Sequence, residues 1–144
     1  MRIWSEDFKN EDKIPPEFTA DGRDTNPHLA WDNVPPKARS LALIMDDPDA
    51  PKGTFTHWLV ANLPPKPGQI DHGHVPGNAK MAKNDFGKTD YGGPSPPSGT
   101  HRYFFKLYAL DTDRINASDK KEFYNQVEKH RIDSTRLMGL YSRD

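Results

Sequence analysis

Proline interrupts this chain fourteen times between Pro15 and Pro97, and none follows Pro97. Each proline fixes φ and removes a backbone donor, so neither a helix interior nor a central strand runs through one. Short segments punctuated by Pro/Gly turns therefore fill the first two-thirds of the chain, and such segments fold as strands. The apolar content of 33% and mean hydropathy of −0.93 are low, yet 10% aromatic residues and clear strand alternation argue for a loop-rich fold and against disorder. A chain of 144 residues buries about two-thirds of its unfolded surface. We expect a single domain over residues 1–144.

The strands can be placed by pattern. Residues 2–8 (RIWSEDF) alternate loosely and suggest a short edge strand, and residues 26–31 (NPHLAW) a second one after an Asn-Pro turn. Residues 40–45 (SLALIM) are apolar at both parities, as in the central strand of a sandwich, and run straight into Asp46-Asp47-Pro48-Asp49-Ala50-Pro51. In residues 55–63 (FTHWLVANL), strict alternation places Phe55, His57, Leu59, Ala61 and Leu63 on one face, with Thr56, Trp58, Val60 and Asn62 on the other. Residues 69–82 carry no usable period. In residues 101–110 (HRYFFKLYAL), His101, Tyr103, Phe105, Leu107 and Ala109 share a face. The period then changes to one helix over about 118–131, with Ser118 able to N-cap, Asp119 suited to the N-terminus and Phe123 and Val127 in its apolar stripe. Residues 134–142 close the chain as a short strand or extended tail. Strands with one late helix give a mainly β, antiparallel two-sheet sandwich.

Charge excludes several classes. Twenty basic against twenty-one acidic residues, with no long basic block, leave no footprint for nucleic acid. No apolar stretch is long enough to span a membrane or to serve as a targeting h-region, so a cytoplasmic location is expected. The absence of cysteine excludes disulfides, thiolate zinc sites and a thiol nucleophile. Asp71-His72-Gly73-His74 lacks a third ligand at useful spacing; neither metal nor cofactor is expected.

The chemistry concentrates in residues 85–103. Five glycines and prolines within residues 92–97 build a stiff loop, which then meets His101-Arg102-Tyr103 at the mouth of a strand. His101 and Tyr103, two residues apart, project from one face about 6.5 Å apart, which suits flanking one small ligand. Carboxylates at the end of a buried strand need partners. Asp47 and Asp49 therefore either cap an Asx/Pro turn or orient donors at a pocket. His57, on an apolar face, is by itself more often a core residue than a ligand contact.

These segments closely resemble the phosphatidylethanolamine-binding protein family, which includes the Raf-kinase inhibitor protein, in its short bacterial and archaeal branch. The resemblance is carried by FTADG at residues 18–22, residues 26–31, residues 40–51 with their DPDAP core, THWLVANLP at 56–64, and YGGPSPPSGTHRY at 91–103. It implies a two-sheet Greek-key β-sandwich with a small anion pocket at one end. The pocket positions carried over are Asp47, Asp49, Ala50, Pro51, His57, Gly93, Pro96, Pro97, His101 and Tyr103. Ser95 replaces a loop glycine usual in animal members, the cysteine often found in bacterial members is absent, and His28 stands where proline is usual. The chain as given ends soon after Tyr141, without the helix that partly covers the pocket in animal members.

Two histidines, a tyrosine hydroxyl and loop N–H groups converging on one point suit an anion. The expected function is a non-enzymatic binding protein, monomeric or homodimeric, for a small anionic or phosphorylated ligand, and the resemblance allows it to modulate a kinase or other signalling partner. A second reading is a serine-protease inhibitor or other protein-interaction module. A third is a weak hydrolase of small esters using Ser95 or Ser98, which requires a Ser–His contact.

Overall fold

The apolar run that ends in the DPDAP turn becomes the middle of the molecule because both its faces are covered. The structure, a computed structural model, describes residues 1–75 and 77–144. Strand β4 (Ser40–Asp47) is buried at every residue. It lies between β5 (Phe55–Leu63) and β8 (Gly99–Leu110) in a six-stranded sheet ordered β2-β9-β8-β4-β5-β7, where β2 is Asp12–Lys13, β7 is Lys80–Met81 and β9 is Arg131–Arg143. A three-stranded sheet, β1 (Arg2–Trp4), β3 (Leu29–Asp32) and β6 (Gly68–Ile70), covers one face. Helix α1 (Lys120–His130) covers the other.

Pairing is antiparallel except for β2 with β9, which is parallel. After the β4–β5 hairpin the chain visits the small sheet as β6, returns as β7, and crosses to the far side of β4 as β8. That crossover makes the Greek key. The inter-sheet core contains Ile3, Trp31 and Ile70 from the small sheet and Leu41, Leu43, Met45, Phe105 and Leu107 from the large one. On the opposite face Ala42, Ile44, Leu59 and Ala61 meet Phe123 and Val127 of α1. No helix among the described residues is long and apolar enough to cross a membrane.

Several expectations need correcting. Asp119, not Ser118, is the N-cap: its carboxylate accepts the Glu122 N–H at 2.8 Å. The C-terminal segment is no short tail but a thirteen-residue strand that begins directly after the helix and pairs with β8 from Gly99 to Leu110. Residues 69–82, read as aperiodic, contribute the short strands β6 and β7; Pro76 within them lies outside the described residues. The face assignment of β5 also changes. The pairing with β4 shifts between Met45↔Trp58 and Asp46↔Thr56, a β-bulge that leaves His57 unpaired. His57 and Trp58 then both face the small sheet, while Leu59 and Ala61 turn toward the helix. A bulge inserts one residue into one strand, so the alternation flips beyond it. The second register shift, between Leu41 and Leu43 opposite Asn62 at φ 64°, returns Leu63 to the inter-sheet core.

Candidate functional site

At one end of the inter-sheet space the side chains change from apolar to polar, because β4, β5 and β8 all bring titratable residues to the same edge. A cavity of about 230 Å³ opens there. It is lined by Asp47 from β4, Ala50 and Pro51 from the following turn, Phe55 and His57 from β5, Phe86, Ser95, Pro96 and Pro97 from the Pro/Gly loop, and His101 and Tyr103 from β8. Eight of the ten residues singled out from sequence thus meet at one cavity.

Asp47 is the hinge of the arrangement. Its Oδ2 lies 2.6 Å from His101 Nδ1, with both side chains buried, and its Oδ1 accepts the Asp49 N–H at 2.8 Å. A carboxylate acceptor on Nδ1 fixes the imidazole's proton there and leaves Nε2 for the cavity. His57 is held differently. Its Nδ1 lies 2.7 Å from the Gly92 carbonyl, and its own carbonyl accepts both the Gly92 N–H and Asn84 Nδ2. The ring packs edge-on against Phe86 and Tyr103, with centroids 5.3 Å away in each case. Burial pushes the His57 imidazole below its ordinary range, and the Gly92 carbonyl only partly opposes that. Tyr103 is fully buried, and its hydroxyl has no hydrogen-bond partner among the described residues. The Ser95 amide approaches it without reaching hydrogen-bond geometry. Burial raises the phenol well above its usual range, so it is a neutral donor.

The remaining two positions lie outside the cavity wall. Asp49 turns away and receives three bonds from Arg102, from the backbone N–H, Nε and Nη2, each at 2.9 Å. The Arg102 side-chain bonds, over the opposing desolvation, bring its carboxyl down to about 2. Asp49 is thus a clamp on the turn that carries Ala50 and Pro51. Gly93 spends its N–H on Asp24 Oδ1 at 2.7 Å. A Cβ at Gly93 would come within 2.5 Å of the Phe18 carbonyl, so glycine is required there by close approach of two loops. The Gly92 and Gly93 N–H groups are therefore consumed inside the protein, contrary to the expectation that loop amides face an anion.

The pattern alone missed Phe55, Phe86, Asn84 and Arg143. Phe86 stays 41% exposed at the mouth, edge-on to Phe55 at 4.8 Å. Asn84 anchors the loop: its Nδ2 donates to His57 and Asp90 carbonyls, and its Oδ1 accepts from the Phe86 and Lys88 amides. Arg143 bridges the Asp21 carboxylate to Ser95 Oγ and the Pro96 carbonyl, tying the far wall to the end of β9. Asn84 and Phe86 lie just before the Gly/Pro block, while side-chain reach across 48 residues, as from Arg143 to Ser95, has no local signature. Away from the cavity, His72 faces Asp7 at 3.4 Å and stacks on Phe18. No group of three candidate metal ligands assembles among the described residues.

Acid should weaken this fold through two named groups. Both folded-state pKa values are depressed, so each contributes stability that is present above its unfolded value and lost as pH falls. For His57 the loss begins below its ordinary value of 6.5; for Asp49 it runs from 3.8 down to about 2. The melting temperature should therefore fall between pH values of about 7 and 5 in the wild type, and more shallowly in His57→Gln. Equal slopes would remove His57 from the account.

The family model described as Phosphatidylethanolamine-binding protein matches residues 4–142. A UPF0098 protein of Methanothermobacter thermautotrophicus is 43% identical, covering 99% of both chains. One from Aquifex aeolicus is 41% identical over all of this chain and 90% of its own. The Escherichia coli UPF0098 protein YbhB is 36% identical over 99% of this chain and all of its own. Among solved structures, a putative phosphatidylethanolamine-binding protein homolog from Chlamydia trachomatis superposes with a TM-score of 0.90 at 33% identity, covering 99% of this chain and 97% of that one. E. coli YbcL, described as a new member of the mammalian PEBP family, gives 0.93 at 26% identity, covering 99% and 98%.

Proposed function

Because the chain belongs to the phosphatidylethanolamine-binding protein family, we propose that it is a non-enzymatic binding protein whose cavity takes a small anionic, phosphorylated ligand. The observation that carries this is the Tyr103 hydroxyl, fully buried, without a hydrogen-bond partner among the described residues, and on the wall of a cavity flanked by two histidines. A buried donor left unmade costs about 1–3 kcal/mol, so a site that keeps one has a use for it. The volume of about 230 Å³ suits a phosphoryl group with a short substituent. Phe55 and Phe86 give that substituent an apolar wall.

Hydrolysis is poorly served by the same residues. Asp47 on His101 Nδ1 orients that ring with Nε2 free, as a general base would be, but Ser95 Oγ receives Arg143. No serine hydroxyl hydrogen-bonds a histidine among the described residues, the contact a serine nucleophile needs. A protein partner, kinase or protease, would meet the cavity at Phe86, whose exposed edge is continuous with the wall. Ligand occupancy would then alter the partner's docking surface.

Titration with inorganic phosphate and O-phosphoethanolamine, following the histidine ring signals by NMR, tests the pocket. The wild type should respond at His57 and His101 together. Tyr103→Phe should keep wild-type stability, since the hydroxyl has no partner among the described residues, yet bind more than tenfold weaker for loss of a bond worth about 1.5–3 kcal/mol to a charged group. Undiminished binding by Tyr103→Phe would remove the hydroxyl, and with it this reading.

A further inference from the structure

What the cavity can bind depends on what each of its polar atoms can offer. The Gly92 carbonyl only accepts, so His57 Nδ1, 2.7 Å from it, carries a proton. The other nitrogen decides what the cavity meets. The His57 residue is 3% exposed, and Phe55, Phe86 and Tyr103 pack around its ring at 4.9, 5.3 and 5.3 Å. No carboxylate hydrogen-bonds it among the described residues. Asp47, on β4, has one oxygen on His101 and the other on the Asp49 amide. Asp46, the next residue, points to the helix side, where Lys106 and Tyr124 hold it. From β8, His101 is committed to Asp47, and Tyr103 is a neutral phenol. Desolvation thus outweighs the two aspartates and lowers the His57 imidazole's affinity for a second proton. At neutral pH its Nε2 is a bare lone pair.

The cavity therefore places a fixed acceptor beside a fixed donor. Resting on the pocket reading, we infer that the ligand is a proton-bearing phosphoryl monoanion, whose P–OH donates to His57 Nε2 while an ionised oxygen accepts from the Tyr103 hydroxyl. Free phosphate and phosphate monoesters supply that proton. Sulfate has the same shape but no proton at these pH values, so it sets lone pair against lone pair at His57. The phosphodiester of an intact lipid head group fails in the same way. Sites built to pair a hydrogen bond reject analogues that cannot make it far more strongly than apolar pockets reject a methylene.

The test is a set of NMR and calorimetric titrations of the full chain with inorganic phosphate, O-phosphoethanolamine, sulfate and glycerophosphoethanolamine. They run at about pH 5.5 and about pH 8, either side of a monoester's second pKa of about 6. At the lower pH, phosphate and O-phosphoethanolamine should bind about tenfold or more tighter than sulfate and the diester. That ratio should shrink at the higher pH. His101 Nε2 also opens on the cavity, and the same titrations in His101→Gln separate its part in the ratio from that of His57. In His57→Gln, whose amide can turn a donor inward, the ratio should fall below the wild-type value, whatever the overall affinity. Independently of whether that variant folds, the ¹⁵N shifts of wild-type His57 should report a proton on Nδ1 and none on Nε2.

Sulfate or the diester binding as well as the monoester overturns the inference and leaves the pocket reading standing. So does a proton on Nε2 in the free protein. Tight binding of glycerophosphoethanolamine alone would assign the donor to its ammonium group and likewise overturn the inference. Failure of every anion to bind overturns both.

Discussion

Asp47→Ala should unfold at markedly lower denaturant concentration than the wild type and lose more than tenfold in affinity for phosphate. The two carboxylate oxygens do separate work, one on His101 Nδ1 at 2.6 Å and one on the Asp49 N–H at 2.8 Å. Alanine leaves both groups without their partner in a largely buried setting. Each such loss costs about 1–3 kcal/mol, and removing one member of a buried pair reaches about 3–5 kcal/mol, so a total of about 3 kcal/mol or more is expected. Binding suffers twice. The His101 ring loses the contact that fixes its tautomer, and the turn carrying Ala50 and Pro51 loosens. Asp47→Asn separates the two effects. Its carbonyl can still accept the Asp49 amide, but its NH₂ can only donate to His101, which moves the imidazole proton to Nε2. Most stability should return while the ¹⁵N signature of His101 inverts. An alanine variant with wild-type stability and an unchanged His101 tautomer would show that the pair is not what holds the site.

Phe105→Ala should be comparably damaging, by about 3–5 kcal/mol, the range for deleting a fully packed aromatic side chain. Phe105 is fully buried, lies on the inter-sheet face of β8, and packs its ring on Phe8 with centroids 5.8 Å apart. Phe8 follows β1, so the contact joins the N-terminal segment to the large sheet. The small three-stranded sheet has no other means of independent stability than packing on this face. Urea unfolding should show a lower midpoint with an unchanged slope. A loss under about 1 kcal/mol would mean that the two sheets close over the deletion, and that the layer contact is softer than its burial indicates. Because Phe105 lies two residues inward of Tyr103 on the same face, the folded variant should also bind phosphate more weakly than the wild type.

Much of this molecule was legible before any fold was known, for reasons specific to particular segments. An apolar run of strand length at both parities, stopped by a proline turn, fits a strand covered on two sides, and β4 is that strand. The alternation of residues 101–110 placed His101, Tyr103 and Phe105 on one face, and β8 keeps it because its pairing with β4 is regular and its pairing with β9 is regular from Gly99 to Ala109. His57 was different. Its direction was set by a bulge, and a bulge belongs to a pair of strands, not to either sequence alone. Strict alternation on β5 put His57 with Leu59 and Ala61, whereas the bulge gave it to the cavity and gave those two to the helix.

Asp49 and Gly93 mark the same boundary. A carboxylate in a DPDAP turn faces whichever donor the fold supplies, and here Arg102, 53 residues away, reached Asp49 first. Gly93 was expected to lend its amide to a ligand, but Asp24 had already taken it. The short strands β2, β6 and β7, two or three residues each, exist by pairing alone and have too few side chains to show a period.

The sequence by itself determined the elements whose information is local: turns fixed by proline and glycine, strand periods, and a helix in the proline-free last third of the chain. It also determined the inventory of the site, since two histidines, a tyrosine and an aspartate stand at strand ends. Tertiary structure alone decided which atoms of that inventory remain free. Whether Nε2 of His57 is a lone pair, whether the Tyr103 hydroxyl has a partner, and whether a loop amide is spent all depend on groups tens of residues distant. A hydrogen-bonding group can be used only once or twice, so its availability follows from the whole packing around it.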